Sequence, residues 1–76
     1  MPEPHDWTSV ADSKRIIAEC YLPEQEIILV RFPGGVEWQY KACPASEWAA
    51  FTAPGQSRGA YIAETLDFKP NCRWVG

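Results

Sequence analysis

A chain of 76 residues with a formal charge of −3 is a single domain near the small end of what folds alone, burying only about 60% of its unfolded surface. Its seven basic residues, Lys14, Arg15, Arg31, Lys41, Arg58, Lys69 and Arg73, are scattered along the chain rather than forming a stripe, which argues against a polyanion-binding surface while leaving a local patch open. Four Trp, three Tyr and three Phe suit a core that must be efficient, because each buried aromatic removes roughly 150–250 Å² from water.

The chain opens on "MPEPHDW", a proline-rich tail over residues 1–12 whose anchor would be Trp7. From Ser13 to Leu22 the side chains Ile16, Ala18, Cys20 and Leu22 share one parity, with Ile17, Glu19 and Tyr21 opposite, which predicts a first strand. "PEQE" connects it to "EIILVRF", a β-branched and aromatic run of strand length. Val36, Trp38, Tyr40 and Ala42 then alternate with Glu37, Gln39 and Lys41, so the second and third strands form a hairpin.

The faces decide the hairpin register. A two-residue Gly34-Gly35 loop would set Phe32 against Glu37 and Val30 against Gln39, apolar against polar. The three-residue loop Pro33-Gly34-Gly35 instead places Phe32 across from Val36, Val30 across from Trp38 and Ile28 across from Tyr40. It also brings Arg31 opposite Glu37, with Gly35 in a left-handed bulge position.

"CPASEWAAF" follows with Pro44 at the first helical position, Glu47 near the positive end of the helix dipole, and Ala45, Trp48, Phe51 and Thr52 on one side. Ala53-Pro54-Gly55 ends that helix. A second short helix begins after Ser57, its N-cap, and buries Ile62 and Leu66 before stopping ahead of Lys69-Pro70. Gly59 inside it costs about 1 kcal/mol against alanine, which close packing or a ligand would explain. The fold class is therefore α+β: a three-stranded antiparallel meander and two short helices packed on one face, spanning residues 13–67, with a C-terminal segment at 68–76 that resumes extended or irregular structure.

With these elements placed, the chain resembles the KTSC domain, a short module found at the C-terminus of some lysyl-tRNA synthetases and also free-standing. The resemblance is carried by Ile16 to Tyr21, by Ile28-x-Val30-x-Phe32 with Gly35, by Trp38-Gln39-Tyr40, by Pro44 to Phe51 and by "APGQSRGAYI" from Ala53 to Ile62. The family's Tyr-x-Tyr motif stands here as Trp38-x-Tyr40, so a role for a flat ring is retained and a role for the first hydroxyl is not. Cys43 occupies a position that tends to be aliphatic in the family, which implies a buried site. The resemblance implies RNA as a ligand through the company of the synthetase, and a bacterial or phage-encoded protein working in a bacterial cytoplasm.

Three functional readings follow. Ile17, Tyr21, Ile27 and Leu29 share the sheet face opposite the helices, so that face needs a cover. Trp7 or Trp74 could fold over it, or a protein partner or second copy could dock there; the docking reading ranks first. RNA or another anionic ligand is the alternative, held by Gln56, Ser57, Arg58 and Lys41 with Trp38 or Tyr40 stacking on a base. Catalysis ranks third: Cys43 at a helix start has no downstream histidine as a base, and His5 and Asp6 adjoin in the tail. Three widely spaced cysteines and one histidine form neither a disulfide framework nor a zinc site. No metal, cofactor or membrane partner is expected, and a reducing compartment fits the cysteines.

Overall fold

The hairpin forms in the register that its faces demand. In the computed structural model, which describes residues 7–11 and 13–75, Ile28 pairs with Tyr40, Val30 with Trp38 and Arg31 with Glu37. Phe32 N–H donates to the Val36 carbonyl at 2.8 Å, closing the three-residue loop. Gly34 at φ +100 occupies the turn position that rejects a side chain, and Gly35 at φ +98 makes the bulge.

Among the described residues the sheet has five antiparallel strands in sequence order, not three. These are β1 (Thr8–Ser9), β2 (Ala18–Leu22), β3 (Ile27–Arg31), β4 (Glu37–Tyr40) and β5 (Asn71–Arg73). The two added strands come from the segments flanking residues 13–67. Thr8 pairs with Glu19 along one side of the meander, and Trp38 pairs with Arg73 along the other. Strands of two and three residues are too short to show a period in the sequence; only the exposed ladder of β2 or β4 makes them strands.

The helices are α1 (Ala45–Phe51) and α2 (Arg58–Glu64), with a 3-10 turn at Leu66–Phe68. Pro44 is the N-cap of α1 rather than its first helical residue, since its ψ of 169 is extended. Ser57 caps α2 as expected, its hydroxyl accepting from Ala60 N–H at 3.2 Å. Ile62 lies in α2 while Leu66 lies in the 3-10 turn, yet both are fully buried in one cluster with Ile16, Ile28, Val30, Tyr40, Cys43 and Phe51. Even-numbered side chains of β3 and β4 thus face the helices.

A smaller cluster occupies the other face: Cys20, Leu22 and Leu29, with Trp7, Ile27 and Trp74 packed on it. Leu29 has no exposed surface at all. One tryptophan from each end of the chain covers the face, so the cover is supplied from within.

Candidate functional site

The four side chains expected on the far face do not gather there. Paired residues in a ladder share a face, and β2 pairs Glu19 with Val30, Tyr21 with Ile28 and Cys20 with Leu29. Glu19 and Tyr21 consequently face the helices, whereas Cys20 and Leu22 take the far face. The parity breaks at a bend on Ile17, which leaves Ile16 in the helix-side core and Ile17 itself 43% exposed. Of the expected set, Ile27 and Leu29 alone share the far face, under Trp7 and Trp74.

Tyr21 instead stacks on Trp48 of α1 at 5.4 Å between ring centroids and donates its hydroxyl hydrogen bond to the Cys43 carbonyl at 2.7 Å. That contact ties β2 to the start of α1. Burial pushes the Tyr21 phenol up, with Glu26 adding to the shift. Cys43 is fully buried, its thiol pointing at the Tyr40 and Lys41 carbonyls, and burial raises its pKa as well. A nucleophilic thiolate needs the opposite shift.

The expected anion residues are split by the fold. Tyr40 is 1% exposed, its phenol pushed up to about 12 by burial and by neighbouring Asp67, so its ring is a core element rather than a stacking platform. Trp38 is half-buried and donates its indole N–H to Asn71 at 2.9 Å. Lys41 lies beyond β4, its N–H bound to the Pro70 carbonyl. Gln56, Ser57 and Arg58 stay together at the entry to α2, and two hollows flank them, one shared with Thr52 to Gly55 and the other with Ser13, Lys14 and Arg15.

Arg58 has a partner that the sequence did not disclose. Its Nε and a terminal nitrogen meet the two carboxylate oxygens of Glu19 at 2.9 and 3.0 Å, a bidentate pair with the Glu19 side chain 5% exposed. Phe51 lies beneath the guanidinium at 5.7 Å. Fixing Arg58 in this way makes it a wall of the hollow rather than a reaching arm.

Phe68 is the other residue that the sequence reading passed over. It is 83% exposed on a turn whose preceding Leu66 is fully buried. The turn is tied on every side: Phe68 N–H donates to Thr65, Lys69 N–H to Leu66, and the Asn71 amide to the Asp67 and Lys69 carbonyls. Lys69 reaches the Ala42 carbonyl at 2.9 Å and Glu47 at 3.5 Å. An apolar residue set between Asp67 and Lys69, just ahead of a proline, is the signal that could have marked it.

Among the described residues no group of His, Cys, Asp and Glu is placed to hold a metal ion, and no helix is long and apolar enough to cross a membrane. His5 and Asp6 lie outside the described residues.

No family model matches the chain, and no curated protein matches it either. Among solved structures, the chain is similar to a KTSC domain protein from Yersinia pestis, at 18% identity and a TM-score of 0.80 over 92% of this chain and 97% of that one. At such low identity the agreement is one of backbone path. The chain has the fold of a KTSC domain.

Proposed function

We propose that the chain is a non-catalytic protein-binding module that docks its partner along the β5 edge, with Phe68 as the anchor. The observation that carries this reading is Phe68 itself, a large apolar ring held out at 83% exposure on a turn fastened by backbone and side-chain hydrogen bonds. The turn is held in place by the buried Leu66 and its hydrogen bonds, so the ring it carries is pre-set and gives a partner an anchor without further ordering cost. Beside it β5 ends the sheet, all three of its residues exposed, and an end strand offers backbone groups to an extended segment of another protein.

This places the contact at a different surface from the far face of the sheet, which Trp7 and Trp74 occupy. The test compares capture of partner proteins by the chain and by Phe68→Ser. Because the ring is exposed, the variant should keep its melting temperature. Its captured set should be depleted of every partner bound through the edge; an unchanged set overturns the proposal.

A further inference from the structure

The hollow at the mouth of α2 is lined by three basic side chains, Lys14, Arg15 and Arg58. It measures about 430 Å³ and is walled by Ser13, Lys14 and Arg15 on one side and by Gln56, Ser57 and Arg58 on the other. In a chain with ten acids and seven bases, this wall holds three of the bases and, among the described residues, no acid. Two segments about 40 residues apart in sequence are brought together to make it. Glu19 answers the charge of Arg58 from behind, and Arg15 is steadied over the Phe32 ring at 5.7 Å.

Gly59 also lines the hollow. Glycine weakens a helix relative to alanine. A Cβ at this position would meet the Arg15 Cβ at 3.4 Å, an ordinary contact, so packing does not demand the glycine. The position is closely approached by the Arg15 side chain and the Ser57 hydroxyl, so α2 and the Lys14-Arg15 turn are in contact there.

We infer that this hollow is a binding site for a phosphomonoester carried on a small molecule. With Arg58 balanced by Glu19, Lys14 and Arg15 bring two charges, which match the nearly doubly charged phosphomonoester better than a carboxylate. The hydroxyl of Ser57 and the amide of Gln56 supply the polar remainder of the wall. The size of the hollow falls in the range of small-ligand pockets, and the overall negative charge of the chain repels a long polyanion. This site is independent of the Phe68 edge, and either can fail without the other.

The experiment is a titration of the labelled protein with inorganic phosphate, with acetate, and with a short single-stranded RNA, followed by amide resonances. Phosphate should shift the amides of Ser13 to Arg15 and of Ser57 to Gly59, and acetate should shift them far less. The double change Lys14→Gln with Arg15→Gln should weaken the phosphate response about tenfold or more while leaving the remaining spectrum in place. No shift with phosphate, an equal response to acetate, or an unaltered response in the double variant overturns the site. RNA acting on these amides at lower concentration than phosphate overturns the small-molecule assignment.

Discussion

Arg58 and Glu19 meet through two parallel hydrogen bonds of 2.9 and 3.0 Å, joining the entry of α2 to the second strand across 39 positions of sequence. The pair is mostly hidden from water, at 16% and 5% side-chain exposure. Such a pair adds little over an apolar isostere, yet it is costly to break on one side, since a buried charge is then left without its main partner. Arg58→Ala should accordingly lose about 3–5 kcal/mol in urea denaturation. Replacing both residues together by apolar ones of similar volume should recover most of that loss. A single-variant loss well under 1 kcal/mol would show that the pair is not a structural joint.

Tyr40 predicts an alkaline limit. Its phenol rises from 10.0 to about 12 through burial first and Asp67 second, so the folded state holds its proton more tightly than the unfolded one. The resulting stability is complete below pH 10 and drains away as pH climbs from 10 to about 12. It amounts to about 2–3 kcal/mol. Tyr21 and Tyr61 are shifted the same way, so Tyr40→Phe should flatten the alkaline loss without abolishing it. Identical pH profiles for the two proteins would remove Tyr40 from this role.

The far face should open when one of its covers is cut away. Trp74→Ala exposes part of the Leu22, Ile27 and Leu29 surface and should cost about 1–3 kcal/mol, less than a wholly buried ring. The unmasked patch should bind an apolar dye and promote self-association. A variant with native stability and no dye binding would mean that Trp7 alone suffices.

Gly59→Ala should raise stability by about 0.5–1 kcal/mol, because the new methyl group reaches only ordinary contact with Arg15 and the helix loses its weakest position. Thermal melts decide it. A fall in melting temperature would mean that α2 and the Arg15 turn cannot separate by the little that a methyl needs.

The hairpin was legible down to its register because apolar and polar alternation on both strands left a single pairing that kept Val30 with Trp38 and Arg31 with Glu37. The Ser57 cap and the burial of Ile62 were legible for similarly local reasons. The side of the sheet that Tyr21 faces was not, since a bend at Ile17 shifts parity by one and nothing in "KRIIAEC" announces it. β1 and β5 were hidden because pairing partners far along the chain, not local propensity, make them strands. Gln56, Ser57 and Arg58 were found as a cluster, whereas Lys14 and Arg15 join them only through the packing of α2.

The two-tryptophan cover ties the far face to sequence-distant segments. Leu29 lies 45 residues before Trp74, so this face is sealed only when a segment distant in sequence has docked on it. Local hairpin formation can begin early, but the finished state waits for β5 to dock. A folding intermediate in which β5 has not docked therefore leaves Leu22, Ile27 and Leu29 without one of their two covers, and such exposed apolar surface is what chaperones hold.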